Sequence, residues 1–328
     1  LGVDAGALGP ALPDGAVATL DGEAITEAAF LTYLSAVYAH HPLGQSALEQ
    51  LFVEAVLTKR ASEAGLAVDP DLVQALYDRF EAQAREASGG ARGLLDNAGG
   101  PGAADMLDST LRLAALQRTL VAQEQGLDDP LDVDDQALSD WLAEELTSAT
   151  LQEHKVSNSL AASWSGGDIP RATVGLRLLS MLPGEEQSSV LSELLGVIAI
   201  SRHAATRGIA YDNDAAVAEL TERERLVDAT PATAEFTYEE YLLQTEGLTV
   251  EELLATPKFR AEVLMVQIVD VDWDAARLAA LFEELRVPLA ERFGPGVTLD
   301  MALPTLLKEA RQRAYREILD SVTIVRRF

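Results

Sequence analysis

Val17-Ala18-Thr19-Leu20-Asp21-Gly22-Glu23-Ala24-Ile25-Thr26 is the stretch on which the fold turns. Val17 to Leu20 is a short β-type run, and Asp21-Gly22 closes it with turn chemistry, because glycine accepts the positive φ that a tight reversal requires. Thr26 then stands as a helix N-cap. Its hydroxyl accepts an orphan backbone N–H, and Phe30, Leu31, Leu34 and Val37 follow at helical spacing.

Working outward, residues 1–16 are rich in Gly, Pro and Ala without a period and read as a flexible lead-in. Past the break at His41-Pro42-Leu43-Gly44, a second helix carries Leu48, Leu51, Phe52, Ala55, Val56 and Ala61 and stops at Gly65, a C-cap residue. Asp69-Pro70 opens a third helix through about Glu86, since Pro at the first helical position forfeits no hydrogen bond. A glycine-rich loop (Ser88 to Gly102), a helix over about 103–125, the acidic loop Asp128 to Asp135 and a helix over 134–146 complete this half. Residues 151–170, dense in Ser, Asn and Gly, read as a linker or a reduced insertion.

The pattern then restarts. Leu191, Leu194, Ile200, Arg202, Ala204 and Gly208 repeat Leu48, Leu51, Leu57, Lys59, Ala61 and Gly65 at a constant offset of 143. Leu176 and Leu179 align with Leu31 and Leu34 at 145, and Asp274 and Leu278 with Asp134 and Leu138 at 140. In one order these matches argue for duplication. The second half shows no clear copy of the Asp21-Gly22 hairpin, but adds a helix over about 303–320 and a strand-like end, Val322 to Val325. A lone strand needs a partner, so 322–325 is expected to pair with 17–20 or its neighbour.

Of 328 residues, 25 are Lys or Arg and 53 are Asp or Glu, a net charge of −28, so nucleic acid and anionic membrane surfaces are repelled rather than bound. Hydrophobic residues at 48% and charged residues at 24% describe a folded globular chain decorated with acid, not a disordered one. With no cysteine there is no disulfide, thiolate metal site or cysteine nucleophile. The longest apolar run, Leu194 to Ile200, falls far short of the roughly 20 residues of a membrane span. A start at Leu1 rather than Met leaves room for a leader removed earlier.

The opening strand and turn, the helix with Leu48-Glu49-Gln50-Leu51 and its end at Ala64-Gly65-Leu66-Ala67-Val68 resemble the helical core of the SurA/PrsA/trigger-factor type of foldases. Phe236-Thr237-Tyr238-Glu239-Glu240-Tyr241 and Gly247-Leu248-Thr249-Val250-Glu251-Glu252 are similar to that family's next segment. The resemblance implies a mainly α fold with a minor β element: two diverged copies of a SurA-type chaperone module, residues 17–150 and 171–328. Family members often insert a parvulin-type prolyl isomerase domain of about 90 to 100 residues, and only Ser165-Gly166-Gly167-Asp168 has a trace of one. An extracytoplasmic location goes with the family, a cytoplasmic one with a dedicated escort.

No catalytic motif emerges from the residues themselves. His40, His41, His154 and His203 lack zinc-site spacing, and H-E-x-x-H and G-x-S-x-G do not occur. Gly99-Gly100-Pro101-Gly102 has no following Lys-Ser/Thr and reads as a loop rather than a phosphate cradle. Asp128, Asp129, Asp132, Asp134 and Asp135 concentrate charge, yet lack the glycine and terminal glutamate of an EF-hand. No cofactor, metal or catalytic residue is assigned.

What remains is binding. Large apolar side chains on a groove wall hold peptides, and the candidates are Phe30, Tyr33, Phe52, Tyr77, Phe80, Trp141, Trp164, Tyr238, Tyr241 and Phe282. For most of them a place in the core is the competing expectation. Trp164, in a segment without helical period, is the one for which an exposed or contact role stands level with a place in the core. The expected activity is ATP-independent capture of a peptide or unfolded polypeptide, without catalysis, the acidic rim favouring basic stretches. The alternatives are an escort presenting one peptide to a separate modifying enzyme, a degenerate prolyl isomerase with its site in 151–170, and a homo-oligomer joined through apolar helix faces.

Overall fold

The computed structural model describes residues 12–88, 90, 103–154, 159–230 and 236–326. Among them the chain is mainly helical, with fourteen α-helices and two small antiparallel sheets of three strands each. The glycine-rich stretch 91–102 and most of the lead-in lie outside the described residues.

The first strands, β1 (Ala16–Leu20) and β2 (Glu23–Thr26), form the hairpin expected from Asp21-Gly22, and both turn residues have positive φ. Helices α1 (Glu27–Val37), α2 (Pro42–Glu63), α3 (Pro70–Ser88), α4 (Ala103–Gln125) and α5 (Asp135–Ala149) follow, close to the positions their apolar spacing predicts. Next come β3 (Gln152–Glu153), β4 (Leu160–Trp164), β5 (Gly167–Pro170), α6 (Arg171–Met181) and α7 (Gly184–Thr206). The remainder is α8 (Asn213–Asp228), α9 (Tyr238–Thr245), α10 (Val250–Ala255), α11 (Pro257–Asp272), α12 (Ala275–Glu284), α13 (Arg286–Phe293), α14 (Leu299–Asp320) and β6 (Ile324–Arg326). No described helix is long and apolar enough to cross a membrane.

Residues 152–170 are therefore not a linker. They hold a sheet of order β3-β4-β5, and the hairpin that the second half lacked in sequence is β4–β5, turning at Ser165-Gly166. Its register reproduces that of the first hairpin at an offset of 144. Ala16↔Thr26, Ala18↔Ile25, Thr19↔Ala24 and Leu20↔Glu23 correspond to Leu160↔Pro170, Ala162↔Ile169, Ser163↔Asp168 and Trp164↔Gly167, and both hairpins carry the same irregularity after their first pair.

The chain divides into two compact units, Leu1–Glu27 with Ser189–Phe328 and Ala28–Ser188. In the first, β1 sits between β2 and β6, with Thr19 opposite Val325 and Leu20 opposite Ile324, the pairing expected of the strand-like end. Asp21 locks this edge: its N–H donates to the Thr323 carbonyl and its carboxylate accepts from the Thr323 N–H, both at 2.8 Å. Ala216, Val227, Tyr238, Leu242, Leu253, Phe259 and Val263 build one core of this unit from α8, α9, α10 and α11. Burial of such side chains is its main driving force.

In the second unit, Leu57 and Ala61 of α2 pack on Leu116 and Leu120 of α4, and Leu72 and Leu76 of α3 on Ala115. In the 128–135 loop, Asp129 and Asp134 cap the helical turns that follow them, accepting the backbone N–H groups of Leu131 and Gln136, and Asp135 pairs with Arg118. α2 ends in a Schellman arrangement, with Gly65 at φ 68° and the Leu66 N–H on the Ala61 carbonyl. Gly208, at φ 69°, ends α7 in the first unit identically, the Ile209 N–H reaching the Ala204 carbonyl.

α1 and α6 also meet within the second unit. A Cβ on Gly175 would lie 2.0 Å from the Leu31 carbonyl oxygen, so only glycine permits the approach. These residues are 144 apart, the hairpin offset, whereas matching leucines in sequence had paired Leu31 with Leu176.

Candidate functional site

An open cleft of about 490 Å³ lies in the second unit between α2 and the β4–β5 hairpin. His41 and Pro42 start α2, the His41 ring nitrogen accepting the Leu43 N–H at 3.2 Å. From that start the helix presents Leu51, Ala55, Thr58, Lys59 and Ser62 along one face, the i, i+4, i+7, i+8, i+11 stripe of a 3.6-residue period. The facing wall is Trp164, Gly166, Asp168, Ile169 and Pro170, closed by Thr173 in the first turn of α6.

Trp164 is held rather than loose. Its ring meets Phe52 edge-on at 5.9 Å between centroids, and the Lys59 ammonium lies 5.2 Å above it. Gly166 makes room for the indole, since a Cβ there would fall 2.1 Å from the ring. Lys59 also approaches Glu63 at 3.8 Å, and Glu54 accepts from Arg177 at 2.6 Å. Asp168 is an exposed lining residue on the edge strand β5, with no hydrogen-bond or ion-pair partner among the described residues.

Of the sequence candidates, Trp164 alone lines this cleft, with Phe52, 7% exposed, packed behind it. Phe30, Tyr33, Tyr238 and Phe282 are buried core residues, each on the inward face of its helix. Trp141 is half-buried against the α2–α4 core and donates its indole N–H to Glu124 at 2.9 Å. Tyr241 packs half-buried on the first unit's core, Phe80 is half-buried, and Tyr77 is exposed on α3. Lys59 figures in the sequence reading only as a repeat position and Asp168 only in the trace of an isomerase domain, neither as a binding residue. The stripe Leu51-Ala55-Thr58-Ser62, which grows smaller and more polar toward its end, is the signal in the sequence that could have marked an open helix face.

Segment 151–170, where a degenerate isomerase would act, contributes Glu153, His154 and Ala161 to a second pocket. It is about 20 Å³, room for a water molecule, and is lined by Ser35, His40, His154 and Arg171 among others. Arg171 is 3% exposed, and burial pulls its guanidinium pKa down. It donates to the His154 carbonyl at 2.6 Å and so ties α6 to the end of β3. His154 Nε2 lies 2.6 Å from Ser163 Oγ, but among the described residues nothing orients its other ring nitrogen as a serine nucleophile's base requires. No group of three or more His, Asp or Glu side chains among the described residues is placed to hold a metal ion.

Comparison with family models, curated proteins and solved structures finds no match to this chain.

Proposed function

We propose that the protein is a non-catalytic, ATP-independent peptide-binding protein of chaperone type, built from two diverged copies of a SurA-type helical module, and that the α2/β4–β5 cleft is its grip. One observation carries the reading. An apolar-floored cleft of a size suited to a short chain segment is walled by a tryptophan that neighbouring residues hold at its edge. The common register of the two hairpins and the common caps of α2 and α7 support the two-copy origin. The acidic surface keeps a loaded complex soluble.

The test measures light scattering from a chemically unfolded model protein diluted into buffer without nucleotide. The intact chain suppresses aggregation, and Trp164→Ala, with its circular dichroism unchanged, suppresses it less. Equal scattering with and without the intact chain overturns the reading. A peptide array separates breadth from dedication, since one dominant sequence identifies an escort and many apolar sequences a general holdase.

A further inference from the structure

Charge bookkeeping within the cleft points to what it accepts. Three carboxylates line it, Glu54, Glu63 and Asp168, against one ammonium, Lys59. Glu54 is neutralised by Arg177, and Glu63 is shared by Lys59 and Arg60. Lys59 in turn lies over the Trp164 ring. The floor is thus internally matched, and the unmatched charge is Asp168, on β5 beside the apolar wall of Ile169 and Pro170.

Strand addition along β5 is disfavoured, because Pro170 supplies no N–H to an incoming backbone. Recognition then runs through side chains. The other hairpin shows how such a turn receives a cation. Arg202, the counterpart of Lys59, donates to the Leu20 carbonyl at 3.1 Å and pairs with Glu23 at 2.7 Å. Glu23 corresponds to Gly167, so Lys59 finds no such carboxylate at its turn, and Asp168, where the first hairpin has Ala24, is the acid that β5 carries instead.

We propose that the cleft takes a peptide segment in which an apolar side chain is adjacent to a lysine or arginine. The apolar group rests on Leu51, Ala55 and Trp164, and the cation pairs with Asp168. This rests on the peptide-binding reading above and gives it a substrate class.

The experiment uses the full chain and three fluorescent peptides of equal length with the same apolar centre, flanked by Lys/Arg, by Gln/Ser or by Glu/Asp, followed by anisotropy. The basic peptide binds about two- to five-fold tighter than the neutral one, the range of an exposed ion pair, and the acidic peptide binds weakest. Asp168→Asn brings the basic peptide to the affinity of the neutral one, and about 0.5 M salt does the same. Equal binding of basic and neutral peptides, or a preference that survives Asp168→Asn, overturns the inference and leaves the peptide-binding reading standing. If none of the three binds, or if Trp164→Ala alters none of them, the reading falls and the inference with it.

Discussion

Gly175 of α6 abuts the backbone of Leu31 in α1, closely enough that a methyl group on its Cα would overlap the Leu31 carbonyl. Mid-helix glycine ordinarily costs about 1 kcal/mol relative to alanine, so propensity alone favours Gly175→Ala. The contact reverses the sign, because backbone cannot move aside as a side chain can. Gly175→Ala is expected to destabilise by about 1–3 kcal/mol in urea unfolding. Gly184→Ala, at a site with open space around it, serves as control and stays near neutral or better. A Gly175→Ala variant as stable as the parent would mean that the two helices do not approach this closely.

Gly166 tests the opposite situation. The atoms in the way of a Cβ belong to the far edge of the Trp164 ring, a side chain that can give way where backbone cannot. Gly166→Ala is expected to displace the indole with a stability loss under about 1 kcal/mol. Tryptophan emission shifts to the red as the ring leaves Phe52, and peptide binding weakens to the level of Trp164→Ala, about ten-fold for the loss of one aromatic contact. Unchanged emission would place the indole elsewhere.

Tyr38 gives a pH signature. Its hydroxyl donates to Glu186 at 2.9 Å, and burial, that hydrogen bond and the glutamate charge together push its pKa up to about 12. An unfolded tyrosine titrates near 10, so the fold favours the neutral phenol. Its contribution is complete below pH about 10 and is lost as pH rises toward about 12. Tyrosinate absorbance shows Tyr38 ionising late, and Glu186→Gln brings that step down. If Glu186→Gln leaves the titration unmoved, the pair does not exist in solution.

Two capping boxes hold short helices of the first unit. Thr237 and Glu240 start α9, and Thr249 and Glu252 start α10, each threonine accepting the backbone N–H of its glutamate at 3.2 Å. Thr237→Ala and Thr249→Ala are each expected to cost about 1 kcal/mol. Replacement by serine, measured by thermal unfolding, restores most of it.

Arg171 is a buried cation in the first turn of a helix, where the dipole disfavours it, and its place depends on acceptors such as the His154 carbonyl. Truncation to alanine leaves that carbonyl short of a donor and the space unfilled, for a loss of about 2–4 kcal/mol in urea. Arg171→Met, which keeps the volume, recovers part of the loss.

Helices were written plainly in the sequence because their stripes run for three turns or more, and Gly65 and Gly208 announce their ends by chemistry that few residues supply. The first hairpin was visible through Asp21-Gly22. Its counterpart was hidden because Ser165-Gly166 sits between Leu160-Ala161-Ala162-Ser163-Trp164 and Gly167-Asp168-Ile169-Pro170, short strands low in β-formers that carry no clear alternation to read. The offset of 145 from matching leucines went astray for a related reason: α6 has glycine where α1 has Leu31, and a neighbouring leucine took its place in the alignment. The cleft was half visible. Trp164 stood out by lacking a helical context, while Asp168 has no sequence signature, its importance arising from what fails to pair with it in space.

The pairing of β1 with β6 has a consequence for biosynthesis. Val325 is polymerised some three hundred residues after its partner Thr19, about 15–60 s later at ordinary elongation rates. β4 finds β3 almost at once. A nascent chain therefore completes one sheet while the other waits with an open edge, and any release before residue 324 leaves that edge bare for a neighbouring polypeptide to join.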